Sequence, residues 1–353
     1  MYASSCRPRP DLGRDMGGMR YLVVGIVLVI VGGMVTGDTV RGQQPAVLTV
    51  YSGRAQPLVG PLLEQFGRTS GVQIRPRYGE TTAIAATIME EGPNSPADVY
   101  VAQDAGALGF LAYSGRLRRL PDSVLQRVES RFRSVDGLWV GVSGRARVVV
   151  YNTRKVAPRD LPESIADLTH PRWRGRIGWA PTNGSFQAHI TAMRLVWGNE
   201  RARRWLEGMR ANGARAYPSN PAIVAAVGTG EIDVGFVNNY YLFQFLRERG
   251  DAFPVRNYMF RGDDIGNLVN AAGVGIVDTS RNPVTALRLV EFLLSPEAQR
   301  YFANETYEYP LVREVSAHPM LIPLPQIRTP RIDLNYLQAL DATLRMFREV
   351  GLL

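Results

Sequence analysis

The sequence predicts an α/β protein with a largely parallel sheet, and three observations carry that expectation. From Ala46 onward, short β-branched or apolar runs alternate with segments of helical spacing, the order that strand–helix–strand crossovers produce. The 353 residues, 45% of them hydrophobic, are enough for two compact lobes. No internal repeat or low-complexity tract interrupts the pattern.

The N-terminus is read separately. Arg14 and Arg20 precede the apolar run 21–35, followed by small and polar residues. A charged region and about 15 apolar residues read as a secretory signal peptide and are short for a membrane span. No clean small-x-small triplet follows, so residues 1–45 are either a signal peptide or an N-terminal anchor. Cys6, the only cysteine, lies before the apolar run. The mature chain is therefore expected to lack disulfides, thiolate metal sites and thiol nucleophiles.

LTVYSG is the first strand, and 57–69 is a helix through Leu58, Leu62, Leu63 and Phe66. GVQIRPRYG, the helix 81–91 and the strand PADVYVAQ follow, then a helix rich in small residues over 104–113. RARVVVYNT has little alternation, as a buried strand or an inter-lobe crossing would. RGRIGWAPTNGSF reads as strand then polar turn, before helices at 187–197, 201–212 and 221–228. IDVGFVN is a strand, 241–249 a helix and LVNAAGVGIV another apolar strand. Helices at 283–294 and 296–302 precede a Pro-rich linker, and Leu337, Leu340, Leu344 and Phe347 predict an amphipathic helix over 334–350.

The net charge is +9, almost all from arginine, with Lys155 the only lysine. The arginines are dispersed among acids without a basic block, which argues against nucleic acid as a partner. His170, His189 and His318 match no zinc spacing and read as structural or surface groups. No serine–histidine–acid order or nucleotide loop supports a hydrolase or transferase. Tyr240 and Tyr241 stand out in DVGFVNNYYLFQFL. Aromatic pairs pack cores; phenolates are also hard donors suited to Fe(III), and a phenol with a pKa of about 10 needs nearby positive charge to ionise at neutral pH.

Eight ordered strings decide how this pair is read: LTVYSGR, RYGETT, EEGPNSPADVYVAQDAGALG, VGVSGRARVVVYNT, HPRWRGRIGWAPTNGSFQA, GEIDVGFVNNYY, LVNAAGVGIV and SPEAQRYFANETYEYPLV. Together they resemble the ferric-iron substrate-binding proteins of ABC importers. The resemblance implies a type II periplasmic-binding-protein fold: two Rossmann-like lobes joined by two crossing hinge strands, at 147–151 and 268–276, with a ligand cleft between. Lobe 1 would comprise 46–145 plus 270–321, and lobe 2 146–269 plus 322–353.

Carried over residue by residue, the resemblance makes Tyr240 and Tyr241 the iron ligands. Carbonate or phosphate would be the synergistic anion. Its pocket would be the turn Asn183, Gly184 and Ser185 at a helix N-terminus, with Asn220, Asn238 and Arg145. The sequence departs from the pattern at the first-lobe histidine and glutamate, where it has Ala55 and Gln103. Alanine has no donor and glutamine is neutral. Asp104 would supply a carboxylate or simply cap its helix, and Tyr78 a third phenolate. These losses leave open a site of two tyrosines, anion and water, or one that takes an iron chelate or small organic anion. The implied protein is a monomeric, non-enzymatic receptor, periplasmic or held at the cell surface, that serves a membrane permease and its ATPase subunits.

Overall fold

The computed structural model describes residues 46–353; the expected signal peptide or anchor lies outside them. The chain opens with β1 (Val47–Ser52), α1 (Gln56–Ser70), β2 (Gln73–Tyr78), α2 (Thr81–Glu91), β3 (Val99–Ala102), α3 (Ala105–Tyr113) and the short α4 (Asp122–Leu125). The long β4 (Val140–Asn152) leads to β5 (Ile177–Trp179), α5 (Gly184–Trp197), α6 (Asn199–Ala211), β6 (Arg215–Ala216), α7 (Asn220–Thr229), β7 (Val234–Asn238), α8 (Tyr240–Arg249) and β8 (Val255–Tyr258). Then come β9 (Val269–Ile276), α9 (Pro283–Leu293), α10 (Pro296–Asn304) and α11 (Leu340–Glu349).

The strands run in the order β2-β1-β3-β9-β4-β7-β5-β6, with β8 also on β4. The parallel expectation holds on the flanks, where β1 pairs with β2 and β3, and β5 with β6 and β7. It fails at the centre. Every pairing there is antiparallel, because β4 and β9 carry the chain between the lobes in opposite directions. β4 changes partners along its length: Val140–Ala146 pair with β9, and Arg147–Asn152 with β7 and β8. It is buried almost throughout, which its unbroken β-branched run requires.

Alternation along β4 separates two environments. Val148 and Val150 join a compact cluster with Ile223, Val224, Val227 and Val237, which seats α7 on the second lobe. Ser143, Arg145 and Arg147 share the other face, and that face carries the site.

The C-terminal helix is the second correction. Ala339 (ψ 38°) breaks it into a 3-10 segment, Leu334–Gln338, and α11. The halves serve different neighbours, which a straight helix could not reach together. Asn335 accepts from the Trp139 indole at 3.0 Å, and a Cβ on Gly106 would sit 2.8 Å from the Leu337 carbonyl oxygen, so the first half lies against α3. Beyond the break, Thr343 shares a 2.7 Å hydrogen bond with Thr191 of α5. The segment 334–349 thus contacts α3 with its first half and α5 with its second. β8 also went unanticipated; its VRNY sequence has no strand-like run of apolar residues.

Candidate functional site

The site grows from the end of β7. Asn239 takes a helical conformation (φ −53°, ψ −37°), so α8 starts directly at Tyr240. Adjacent side chains that would diverge on a strand converge here: the two rings lie 4.4 Å apart, tilted by 41°. Tyr240 is fully buried. Its hydroxyl accepts from Asn238 Nδ2 at 3.3 Å and from Gln103 Nε2 at 3.2 Å. Gln103 follows β3 in the first lobe, so the residue that departs from the family pattern reaches across to the phenol. Burial pushes the Tyr241 phenol well above its ordinary pKa, and neighbouring Tyr240 adds to this against the opposing pull of Arg145. The free site therefore keeps this phenol protonated, and a metal must displace the proton to bind.

Three buried arginines surround the pair. Arg145 is 1% exposed, and neither terminal guanidinium nitrogen has a partner. Burial lowers its pKa, while Tyr240, Asp104 and Glu308 pull the other way. Arg147 Nη1 donates to Asn238 Oδ1 at 3.0 Å and Asn220 Oδ1 at 3.3 Å. Burial, aided by Arg145, pushes its pKa down to about 9. Arg54 is buried in a 2.5 Å ion pair with Glu308, and its Nη1 donates to Ser143 Oγ at 2.9 Å. Burial works against the Arg54 charge, but Glu308 outweighs it and its pKa rises. Unpaired buried charge is costly, and a guanidinium with both terminal nitrogens free can take an anion by two parallel hydrogen bonds.

Of the expected anion residues, Asn183, Ser185, Asn220 and Asn238 form one hydrogen-bonded set. Asn183 caps α5 by accepting from the Ser185 amide at 3.1 Å, and it also accepts from Asn220 Nδ2 at 3.2 Å. Asn220 Oδ1 accepts from the Asn238 amide, and Asn238 Nδ2 donates to Ser185 Oγ at 3.3 Å. Gly184 opens α5, and a Cβ there would meet nothing within 4 Å. An open helix N-terminus favours anions.

Two expected donors make other contacts. The Tyr78 hydroxyl lies over α1, 3.2 Å from where a Cβ on Gly60 would be, in a groove walled by α1 and β2. Asp104 caps α3, its Oδ1 accepting from Gly106 and Ala107. Burial raises the carboxyl pKa, opposed chiefly by Arg145. Ala55 is exposed at the start of α1. His170 and His318 accept backbone amides through Nδ1, and buried His189 joins the Ile265 carbonyl at 2.9 Å. Among the described residues, no group of three or more His, Cys, Asp or Glu is placed to hold a metal; the hard donors on offer are the phenols.

Sequence reasoning missed Arg54, Arg147 and Glu308 as members of this set, and placed Gln103 at the cleft only as a lost ligand. Arg147 had a signal: it interrupts an apolar run two residues after Arg145, hence on the same face. Arg54 and Glu308 lie 254 residues apart and had none.

Two α/β lobes joined by crossing strands, with polar and charged groups converging where the strands cross, define a ligand-binding protein of the type II periplasmic-binding-protein fold. The chain belongs to the bacterial extracellular solute-binding protein family, whose profile matches residues 94–337. It is 33% identical over 310 residues to the major ferric iron-binding protein of Neisseria meningitidis serogroup B, covering 87% of this chain and 93% of that one. It is 27% identical to the Fe(3+)-binding periplasmic protein of Serratia marcescens, covering 87% and 90%. Among solved structures, iron-bound HitA from Pseudomonas aeruginosa superposes with a TM-score of 0.84 at 34% identity, over 87% of this chain and all of that one. The Trichodesmium protein in complex with iron and citrate gives 0.76 at 30%, with the same coverage.

Proposed function

We propose that this protein is the substrate-binding receptor of an ABC importer, capturing ferric iron in the cleft and presenting it to a membrane permease with its ATPase subunits. The observation that carries this is Tyr240 and Tyr241 meeting among three buried arginines. Two phenolates leave a net +1 on Fe(III), so a further anion completes the charge. Arg145, Gly184 and the connected set of Asn183, Ser185, Asn220 and Asn238 are arranged to hold carbonate or phosphate. The phenols release their protons to water on loading, a step the surrounding guanidinium charge favours. Lobe 1 comprises 46–145 and 270–321, lobe 2 the remainder of 146–353, with 334–338 lying across to lobe 1. The receptor works as a monomer, periplasmic or held at the cell surface; the Serratia marcescens relative is periplasmic by name. Those relatives are named as binding proteins, and no catalytic role is proposed.

A second reading, that the cargo is an iron chelate, is favoured by a specific observation. The first lobe offers neutral Gln103 and exposed Ala55 in place of hard donors, which leaves coordination positions for a ligand's own oxygens. The free Arg145 nitrogens suit a carboxylate equally well.

Ferric phenolate absorbs visible light by charge transfer, so iron-loaded protein is expected to be coloured. Tyr240→Phe and Tyr241→Phe remove only the donor oxygen and nearly conserve volume. Each should fold normally, lose most of the visible band and bind iron far more weakly. Wild-type colour and affinity in both would remove the iron assignment. Loading with ferric citrate against iron in carbonate buffer, then assaying bound citrate, separates the two cargoes.

A further inference from the structure

Tyr307 is, among the described residues, the single non-glycine with positive φ (55°). A left-handed conformation is unfavourable for a residue of this kind and persists only where its surroundings enforce it. The surroundings here are tight. Thr306 Oγ1 donates to Glu308 at 2.9 Å, and Glu308 is held by Arg54 and by Ser143 of β4. Tyr309 exchanges backbone hydrogen bonds of 2.7 and 2.8 Å with Gly144 of β4. Glu308 and Tyr309, the two residues after Tyr307, are thus anchored to the first-lobe half of β4, and the turn at Tyr307 directs its ring away toward the second lobe.

There it meets α8. The Tyr307 ring stacks on Phe243, with centroids 5.1 Å apart and planes 23° apart, and lies T-shaped to His318 at 4.9 Å. The Tyr307 carbonyl accepts from Asn239 Nδ2 at 3.2 Å. Asn239 immediately precedes the tyrosine pair. It also locks onto β4: its Oδ1 accepts from the Ala146 amide at 2.9 Å and its amide donates to the Ala146 carbonyl at 3.0 Å. Ala146 is the last residue of β4 paired with β9 before the strand turns to β7. One chain of contacts therefore runs from Arg54–Glu308 through Tyr307 and Asn239 to the first turn of α8.

We propose that Tyr307 and Asn239 are positioning residues that hold the start of α8, and with it Tyr240 and Tyr241, in fixed register with the first lobe across the crossing strands. The consequence for cargo rests on reading the pair as iron donors; the mechanical claim does not. Loss of the clamp lets the pair swing relative to Gln103 and Arg145, so iron is released faster although every ligand is intact.

The test compares Tyr307→Gly, which relieves the backbone and deletes the ring, with Asn239→Ala and with Tyr307→Phe, which keeps the stack. Hydrogen exchange at the Phe243 and Gln244 amides is followed in iron-free protein, and release of iron to excess citrate in loaded protein. Tyr307→Gly and Asn239→Ala should raise exchange at those amides selectively and speed release about tenfold, within the usual range of inter-site coupling. Tyr307→Phe should match wild type in both. Unchanged exchange at these amides, or a rise spread evenly over the whole chain, would overturn the proposal in favour of plain packing. A colourless wild-type protein would defeat the iron reading, and the exchange measurements would still decide the clamp.

Discussion

At the scale of single residues, the site is a balance between burial and charge. Arg145 and the asparagines around Arg147 entered the sequence reading through the family resemblance, since their own spacing suits caps, turns and ion pairs equally well. Arg54 and Glu308 were not, since only the folded chain brings them together. Arg145→Ala should weaken iron binding in proportion to how scarce the anion is. A group that acts through the anion affects iron only through anion occupancy, and linkage makes the effect reciprocal. Iron titrations across carbonate and phosphate concentrations check this; an equal loss at every concentration would argue that Arg145 acts on the phenols alone. His189 makes a separate prediction about stability. Burial, with Arg147 nearby, pushes its pKa down to about 3 from 6.5, so the folded state keeps it neutral while the unfolded chain protonates it. Between those values the unfolded state binds the extra proton, and stability falls as pH falls. No such loss arises above pH 6.5. The difference is of order a few kcal/mol when integrated over that window. His189→Gln should lose less stability between pH 7 and pH 4 than wild type, as read from urea midpoints. Parallel losses in the two proteins would show that other groups govern the acid limb.

At the scale of elements, most helices were legible because their apolar spacing and Pro or Gly punctuation are local properties. The antiparallel centre was not, because pairing partners follow from topology and β4 reads the same whichever neighbours it has. The broken C-terminal helix was hidden for a related reason. Leu337, Leu340, Leu344 and Phe347 keep helical spacing through the break, and only the two separate docking faces show why the chain turns at Ala339. The docking on α3 depends on small residues: a Cβ on Gly106 would lie 2.8 Å from the Leu337 carbonyl oxygen, and one on Gly109 3.0 Å from that of Asn335. Backbone cannot yield as a flexible side chain can. Gly106→Ala should therefore push the 334–338 segment off α3 and destabilise the protein by about 1–3 kcal/mol, despite alanine's better helix propensity. Urea denaturation measures this, and a stabilised variant would mean that the segment rests only loosely on the helix.

At the scale of the whole molecule, the two lobes contribute unequally to the cleft. By the proposed lobe bounds, the second lobe supplies both phenols, the helix N-terminus and the asparagine set; the first supplies Gln103, Arg145 and the Arg54–Glu308 pair. A two-lobed receptor holds its closed state through ligand contacts made by both lobes. Gln103 already reaches the Tyr240 hydroxyl at 3.2 Å, so a carboxylate at that position would lie at the phenol and compete for the same cation. Ala55 is exposed at the N-terminus of α1, where a larger side chain fits without disturbing the core. Ala55→His combined with Gln103→Glu should therefore raise ferric affinity and reduce the dependence on added anion, because two protein donors replace water or anion oxygens. In a receptor for bare iron the gain follows directly. In a receptor for a chelate the same donors would crowd the positions filled by the ligand's own oxygens, and affinity for ferric citrate should fall. Calorimetric titration of wild type and the double variant with iron in carbonate buffer, and then with ferric citrate, reads both. An unchanged affinity for either form would mean that the first lobe does not approach the metal at all, and that closure depends on Gln103 and the hinge contacts instead.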